Sequence, residues 1–376
     1  MSSFSRMIRT ALAAVLAATA LLPAATARAM YCNNDPVNLV DPLGLAAYYF
    51  DGTANHPHPR NLDGTPNYKT NVRKLYDVTR GAAFYAYGIG SGYNADGSLT
   101  TSGVANEGAT GNSMKERAEW MLGKLESQLR AGDKVVDLFG FSRGSATATY
   151  FLNRIQQEVD RGNPLYRGIE IRFVALFDQV PSKLGMTRTV GSAAWNATLA
   201  SVSFGAWGYN PYERISDSSG EFHFTLPKGM RFTHRPLHPV ALDEGRREFA
   251  VTDLQGALQV GFRGVHSNVG GGYPRDFFEY ITCRFVYERA TRAGLGFFDE
   301  KYRAMDPSMR GLYDRYAHDF DAGFLPLLDI SPTDNSKAYW DDGEPRALPQ
   351  GMVLHPSVRW FKSAPANPIP AYIYLP

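Results

Sequence analysis

From residue 46 onward, short apolar runs alternate with longer segments that carry an apolar residue every three or four positions. The runs AAYYF (46–50), AAFYAYGIG (82–90), KVVDLFGF (134–141) and IEIRFVALF (169–177) have the length and continuity of strands buried on both faces. The segments between them have the spacing of amphipathic helices. This alternation predicts an α/β fold with a mostly parallel sheet covered by helices on both faces.

Three of these segments predict helices with a defined buried face. They span 70–80, 113–132 and 143–160, and Ser113 and Glu116 form a capping box that opens the second one. The residues expected to point inward are Val72, Leu75 and Val78; Met114, Ala118, Met121, Leu122, Leu125 and Leu129; and Ala146, Tyr150, Phe151, Ile155 and Val159.

Two parts of the chain lose this rhythm. Residues 184–235 are rich in Gly, Ser, Trp and Phe, and a long irregular insertion of this kind is typical of a lid or a binding element. Residues 291–376 are rich in aromatic residues, proline and acids, which leaves extra strands, a lid and a docking surface equally open. We therefore expect a catalytic domain over 46–290, with a lid-like insertion at 184–235 and an irregular C-terminal region.

The N-terminus has the pattern of an export signal. Arg6 and Arg9 precede the apolar stretch ALAAVLAATALL (11–22), and small residues at Ala27 and Ala29 form a cleavage site. The apolar stretch is short for a permanent membrane anchor. We expect residues 1–29 to be a signal peptide and the protein to be secreted or periplasmic, although Met30 as the true start is an alternative.

Charge and cysteine content narrow the classes of partner. The 376-residue chain has a formal charge of +2, which becomes −1 once residues 1–29 are removed, so no basic excess is left for binding nucleic acid. The two cysteines, Cys32 and Cys283, are compatible with a disulfide or with two free thiols.

The sequence Gly140-Phe141-Ser142-Arg143-Gly144 stands between a predicted strand and a predicted helix. This is the pattern of a nucleophile elbow, in which a sharp turn exposes a serine and leaves no room for side chains two residues before and after it. Gly140 and Gly144 therefore have a steric role. The alternative is an ordinary strand–helix turn in which Ser142 caps the helix.

A nucleophilic serine needs a base and an orienting acid, in the chain order Ser, acid, His for this type of fold. Asp178 ends the next predicted strand, and His266 follows an apolar stretch that begins near Leu258. Both lie, like Ser142, where a strand ends, which is where active sites form in doubly wound sheets. The predicted triad is Ser142, Asp178 and His266.

An oxyanion hole needs two backbone N–H groups. One should come from Arg143, directly after the nucleophile, and the other from Gly52 or Thr53 in the loop FDGTAN (50–55). Asp51 is expected to fix this loop through hydrogen bonds, with direct catalysis as the alternative.

The remaining histidines compete with His266 for a chemical role. His56 and His58 have a spacing that is compatible with a metal, but no carboxylate or cysteine cluster accompanies them, so a solvated loop is favoured. The others have no special setting, namely His223, His234, His238, His318 and His355. His266 differs because Gly264 and Gly270-Gly271-Gly272 surround it, which permits close approach of backbone to a ligand. We expect neither a metal nor another cofactor.

Eight stretches over about 46–290 follow one another in an order typical of one family: FDGTAN (50–55), TNVRKLY (70–76), YGIGSGY (87–93), EGATGNSMKERAEWML (107–122), DLFGFSRGSATA (137–148), VALFDQVPS (174–182), HPVALDEGRREF (238–249) and FRGVHSNVGGGY (262–273). Through them the chain resembles the Tle phospholipase effectors of bacterial type VI secretion that have an α/β-hydrolase-like catalytic domain. The resemblance implies hydrolysis of phospholipid acyl esters, with a membrane surface as substrate, an immunity protein as partner and the triad already named. Family members often carry an aspartate where Asn268 stands, two residues after His266, so the support that such a carboxylate gives the histidine is not expected here.

Residues 30–45, MYCNNDPVNLVDPLGL, resemble the segment that closes the core of Rhs repeat proteins, where the chain is cut after the leucine that corresponds to Leu45. That resemblance implies that the part from Ala46 onward is, or descends from, a delivered effector domain. We expect no self-cleavage, because the large Rhs shell is absent from this sequence.

The sequence therefore predicts a serine hydrolase of the phospholipase A type and an antibacterial effector. Two alternatives stay open. One is a carboxylesterase or thioesterase that acts on soluble acyl compounds, and the other is a degenerate effector that only binds.

Overall fold

The computed structural model describes residues 45–100, 112–181, 224–246, 249–273, 277–305, 307–321 and 346–361, and residues 365, 367, 369 and 373–375. Most of residues 1–45, which include the predicted signal and the Rhs-like leader, lie outside this part of the chain, as does Cys32. The same holds for most of the predicted lid at 184–235.

In the described residues, parallel strands and helices alternate up to residue 177 and follow one another less regularly after it. The strands are β1 (Ala46–Phe50), β2 (Ala83–Ala86), β3 (Val135–Phe141), β4 (Glu170–Phe177), β5 (Leu237–Ala241), β6 (Leu258–Phe262) and β7 (Val353–Leu354). The helices are α1 (Asn71–Val78), α2 (Asn112–Ala131), α3 (Arg143–Asp160), α4 (His266–Gly270), α5 (Phe277–Arg292), α6 (Asp299–Met305) and α7 (Pro307–Asp321).

The strands form one sheet in the order β2-β1-β3-β4-β5-β6-β7, and every neighbouring pair is parallel. From β1 the chain first moves to β2 on one side and then returns to β3 on the other. The strand order thus reverses between β1 and β3, and ligand sites of doubly wound sheets form at the carboxyl ends of strands at such a reversal. The predicted α/β fold, with a parallel sheet and helices, is confirmed.

Both faces of the sheet are covered, because successive side chains of a strand point to opposite faces. Within β1, Tyr49 belongs to a core shared with α1 and α5, whereas Tyr48 and Phe50 belong to a second core shared with α2 and α3. The ring of Tyr49 stacks on Phe139 of β3 with centroids 4.7 Å apart, and Tyr48 contacts Phe151 of α3. The two-sided burial explains why these strands are apolar without alternation.

The buried faces predicted for the first two helices are confirmed, as is most of the third. Val159 is a correction, since it is 40% exposed. It lies in the last turn of α3, which faces solvent at residues 159 and 160. The second helix begins at Asn112, one residue before the predicted cap at Ser113.

The sequence pattern missed β5, whose proline and histidine at Pro239 and His238 disguise a strand that is buried throughout. For the C-terminal region it left extra strands open, of which β7 is one, and it did not predict α6 and α7. β7 pairs with β6, and Leu348, Met352 and Leu354 pack against Val240 and Leu242. The sheet therefore continues beyond the boundary expected at residue 290.

No helix in the described ranges combines the length and the apolar character that crossing a bilayer requires.

Candidate active site

The turn from β3 to α3 places Ser142 in a strained backbone conformation. Its φ is 56° and its ψ is −124°, a region that residues other than glycine rarely occupy. The flanking glycines are there for space. A Cβ at Gly140 would lie 2.7 Å from the Cα atom of Ser145, and one at Gly144 would lie 2.4 Å from the carbonyl oxygens of Phe50 and Asp51. The turn therefore has the sterics of a nucleophile elbow.

Two hydrogen bonds to the Phe177 carbonyl hold this turn against the next strand. The Ser142 N–H donates to the Phe177 carbonyl at 2.9 Å, and the Ser145 hydroxyl donates to the same oxygen at 3.1 Å. The Ser142 side chain makes no capping hydrogen bond to α3, so the role of an ordinary helix cap does not account for it. The Arg143 side chain is buried, and this burial lowers its pKa to about 10, which leaves it protonated at neutral pH.

Asp178 and His266 come together directly. Asp178 follows β4 with φ 38°, His266 opens α4, and the imidazole Nδ1–H donates to Asp178 Oδ2 at 2.6 Å. This bond assigns the other ring nitrogen, Nε2, as the acceptor. Burial lowers the pKa of His266, although Asp178 opposes the shift, so the imidazole is neutral at pH 7.

The imidazole lies beside the elbow. Its ring centroid is 4.7 Å from the ring of Phe141, the residue before Ser142, and 4.6 Å from that of Phe249. Gly270 allows this approach, since a Cβ there would lie 1.8 Å from the Phe141 ring. His266 Nε2 is buried and has no hydrogen-bond partner among the described residues, and none joins it to the Ser142 hydroxyl.

A side chain that the sequence analysis did not identify completes the surroundings of Asp178. Arg346 donates from Nη1 to Oδ1 and from Nη2 to Oδ2, each at 3.0 Å, and the Ala241 N–H donates to Oδ1 at 2.9 Å. Burial alone would raise the pKa of Asp178, but Arg346 and then His266 hold it well below its ordinary value. No local pattern marks Arg346, because it lies in the C-terminal region, 168 residues after Asp178.

The loop after β1 is fixed by Asp51. Its carboxylate accepts hydrogen bonds from the Gly52 N–H at 2.7 Å, from the Thr70 hydroxyl at 2.8 Å and from the Tyr85 hydroxyl. Burial raises the pKa of Asp51 to about 6, and these hydrogen bonds oppose the rise. The arrangement corresponds to the loop-fixing role expected for Asp51.

The same hydrogen bonds favour one of the two residues expected to give the second N–H of the oxyanion hole. The Gly52 N–H is occupied by Asp51, so it is not available as a donor in this arrangement. The Thr53 N–H pairs with no acceptor in the ranges that the structure covers, which makes Thr53 the better candidate beside the N–H of Arg143.

Asn268 hydrogen-bonds to the backbone just before His266. Its Oδ1 accepts from the Val265 N–H at 2.8 Å, and its side chain fills the space where a Cβ of Gly264 would lie, 2.5 Å away. Asn268 thus shapes the turn that leads into His266. The His266 N–H itself donates to Glu244 Oε2 at 3.1 Å.

Two other histidines differ from expectation. His238 is fully buried: its Nε2 accepts from the Gln179 N–H at 3.1 Å, its Nδ1 lies 3.0 Å from Gln259 Oε1, and burial lowers its pKa to about 4. It therefore supports the residue next to Asp178, a role that no local pattern predicted. His56 is buried rather than solvated, with Nε2 3.1 Å from Asn61 Oδ1.

Within the described part of the chain, no group of three or more His, Cys, Asp or Glu side chains is arranged to hold a metal ion.

Comparisons with known proteins place one part of the chain in a family context. Residues 47–158 match the family model described as "T6SS, Phospholipase effector Tle1-like, catalytic domain". This range is therefore similar to the catalytic domain of Tle1-like phospholipase effectors of type VI secretion. It includes the elbow and the loop after β1, and it ends before Asp178, His266 and Arg346.

Two solved structures match a large part of the chain at low sequence identity. One is a crystal structure of an uncharacterized protein from Pseudomonas aeruginosa, with 18% identity and a TM-score of 0.47, covering 83% of this chain and 53% of that one. The other is the Tle1 effector bound to the VgrG spike of the type 6 secretion system, with 17% identity and a TM-score of 0.37, covering 61% and 52%. The chain thus spans about half the length of each. No curated protein matches it in sequence.

Proposed function

We propose that the protein is a serine hydrolase that cleaves the acyl esters of phospholipids, with Ser142, His266 and Asp178 as its catalytic triad. The observation that carries the proposal is the bond of His266 Nδ1 to Asp178 beside a strained serine elbow, with Nε2 buried and unpaired among the described residues. This is the arrangement that a general base needs before a hydroxyl approaches it.

The chemistry follows from these groups. Ser142 Oγ attacks the ester carbonyl while His266 Nε2 takes its proton, and Asp178 stabilises the imidazolium that forms. The backbone N–H groups of Arg143 and Thr53 would hold the negative oxygen of the tetrahedral intermediate. His266 then protonates the leaving alkoxide, which leaves the acyl group on Ser142. A water molecule repeats the sequence and releases the fatty acid.

The absence of a Ser142–His266 hydrogen bond is compatible with this mechanism, because catalytic hydrogen bonds of this kind often tighten only when substrate binds. Two further features favour an ester reaction. The N-terminus of α3 lies at Ser142, where the helix dipole favours developing negative charge. Burial also keeps the imidazole neutral, so that it can accept a proton at pH 7.

The preference for a lipid rests on the similarity of residues 47–158 to Tle1-like phospholipase effectors. A phospholipid membrane surface as substrate, delivery into a target cell and an immunity protein as partner belong to the same proposal. More specifically, we propose that the hydrolysis is of the phospholipase A type.

The test compares the wild type with Ser142→Ala on phosphatidylglycerol and phosphatidylethanolamine liposomes, with fatty acid release as the readout. We expect the substitution to lower the rate by about 10⁴-fold or more. Ser127→Ala is the matched control, since Ser127 is exposed and its hydroxyl donates only to the Gly123 carbonyl within α2. Equal rates for the wild type and Ser142→Ala would refute the mechanism.

Two further measurements separate the alternatives. A fluorophosphonate probe should label Ser142 in the wild type and not in His266→Ala, and a failure to label a folded wild type would favour a protein that only binds. Faster turnover of short soluble esters than of liposomes would favour a carboxylesterase or thioesterase.

A further inference from the structure

The bond between Arg346 and Asp178 is unusual for its position. The orienting acid of a hydrolase triad needs to hold one imidazole N–H, whereas here a guanidinium binds both of its oxygens. With the Ala241 N–H on Oδ1 and the His266 Nδ1–H on Oδ2, each carboxylate oxygen accepts two hydrogen bonds. The carboxylate is therefore fully satisfied and has no freedom to rotate.

Arg346 is itself anchored to the loop that follows β5. Its N–H donates to Asn367 Oδ1 at 2.6 Å, and Asn367 Nδ2 donates to the carbonyls of Leu242 and Glu244 at 3.0 and 2.8 Å. Arg346 Nη1 also lies 3.2 Å from the Ala241 carbonyl. The C-terminal region thus fixes the backbone of Arg346, and its guanidinium contacts the end of β5.

We propose that Arg346 is a positioning residue for the reaction, which locks the Asp178 carboxylate toward His266 and offsets its charge, so that His266 stays an unprotonated base at lower pH. The proposal rests on the proposed function. It extends the site beyond the triad and beyond the range of similarity, and it makes the C-terminal region a part of the active centre.

The physical argument is electrostatic. Nη2 of Arg346 and Nδ1 of His266 both lie on Asp178 Oδ2, at 3.0 and 2.6 Å, so they cannot be farther apart than about 6 Å. A carboxylate alone would strongly favour the imidazolium. The Arg346 guanidinium and the Asp178 carboxylate together bear little net charge. They therefore stabilise the protonated imidazole less than the carboxylate alone would.

Other charged groups also act on the imidazole. They are Glu244, which accepts the His266 N–H; Arg246, which pairs with Glu244 and covers the ring of Phe249; and the buried pair of Asp243 and Arg263, which holds the Gly264 N–H. Arg246 also lowers the pKa of His266 and Glu244 opposes it, whereas Arg346 is the cation that acts on the imidazole through Asp178.

The experiment measures the pH dependence of fluorophosphonate labelling of Ser142 in the wild type, Arg346→Met, Arg346→Gln and Arg346→Lys. Labelling needs the unprotonated imidazole but no lipid. The acidic limb is the part of the curve of labelling rate against pH where the rate falls as the pH is lowered. For the two uncharged variants we expect this limb to move to higher pH by roughly 1 to 2 units, since a unit charge is lost at short range in a buried site. Arg346→Lys should keep most of the wild-type position, with a lower maximal rate because it cannot bind both oxygens.

Arg172→Met is the matched control. Arg172 makes the equivalent two-pronged pair with Asp137 of β3, away from the triad, so its loss should lower stability and leave the limb in place. An acidic limb of the folded uncharged variants within about 0.2 unit of the wild type, or at lower pH, would overturn the proposal. Arg346→Gln keeps an N–H donor for Asp178 and covers the case in which Arg346→Met does not fold.

A spectroscopic measurement separates this proposal from the proposed function. In the Ser142→Ala background, the downfield proton resonance of His266 Nδ1–H can be titrated by NMR without any turnover. We expect its titration to move to higher pH when Arg346→Gln is added, even if no lipid proves to be a substrate. An unchanged titration would overturn the role of Arg346 and would leave the hydrolase proposal standing.

Discussion

The glycine at position 144 offers a quantitative test of the elbow. In Gly144→Ala, the new Cβ would lie 2.4 Å from the carbonyl oxygens of Phe50 and Asp51, whereas ordinary contacts begin at 3.4 Å. Both obstacles are backbone atoms, so no side chain can swing aside. The elbow and the carboxyl end of β1 must therefore separate by roughly 1 Å.

Two effects of this separation can be estimated. Overpacking of this kind costs about 1–3 kcal/mol in the free energy of unfolding. The larger effect is on the reaction, because the displacement moves Ser142 away from the loop that carries Thr53. A misplacement of about 1 Å lowers rates by about 10²-fold.

The assay combines urea unfolding with the rate of fluorophosphonate labelling at pH 7. Gly123→Ala is the control: Gly123 is exposed in α2, a Cβ added there would have nothing within 4 Å, and alanine should stabilise the protein by about 0.5–1 kcal/mol. Its labelling rate should equal that of the wild type. A Gly144→Ala protein as stable and as reactive as the wild type would show that the elbow geometry described above is wrong.

Three further predictions concern the triad, the loop after β1 and the core. Asp178→Asn should lower the labelling rate by about 10⁴-fold. It should also lower the free energy of unfolding by about 3–5 kcal/mol, because Arg346 loses its buried partner. A stability equal to that of the wild type in urea titrations would contradict the ion pair. Because the pKa of Asp51 is raised to about 6 in the folded protein, the folded state holds this proton more tightly than the unfolded chain. The protonated Asp51 carboxyl therefore contributes its full stabilisation below about pH 4. Up to about 3 kcal/mol of this stabilisation is lost as the pH rises to about 6. In urea titrations across that range Asp51→Asn should lack this part of the slope, and an unchanged slope would count against the burial of a protonatable carboxyl. Leu75→Ala opens a cavity between α1 and the sheet and should lower the free energy of unfolding by about 2–5 kcal/mol, while the folded fraction still labels at the wild-type rate. A loss of labelling without a loss of stability would contradict the assignment of Leu75 to the core alone.

The elements that sequence reasoning predicted well are those whose causes are local. The period of apolar residues in α1 and α2 selects one face, and two-sided burial makes β1 and β3 continuously apolar, so both can be read from a short window. β5 escaped this reading because Pro239 and His238 interrupt an apolar run. The histidine is tolerated there because His238 is paired with Gln179 and Gln259.

In the candidate site too, the features with local causes were predictable and the others were not. Ser142 with its two glycines was predictable, because the steric need of a sharp turn lies within five residues. The pairing of Asp178 with His266 was predictable as an expectation, from chain order and from strand ends. Asp51 was expected to fix its loop through hydrogen bonds, but that the Gly52 N–H is the one occupied could not be predicted, since it depends on where a single carboxylate points.

The sequence by itself determined the strand–helix alternation, the elbow and the identity of the three triad candidates, because backbone sterics and side-chain period act between near neighbours. Only the tertiary structure decided that Arg346, from the C-terminal region, binds both oxygens of Asp178. That contact depends on how β5, β6 and the C-terminal region pack together. No spacing in the chain encodes it, since a long-range ion pair has no fixed sequence separation and is selected by the geometry of the folded core.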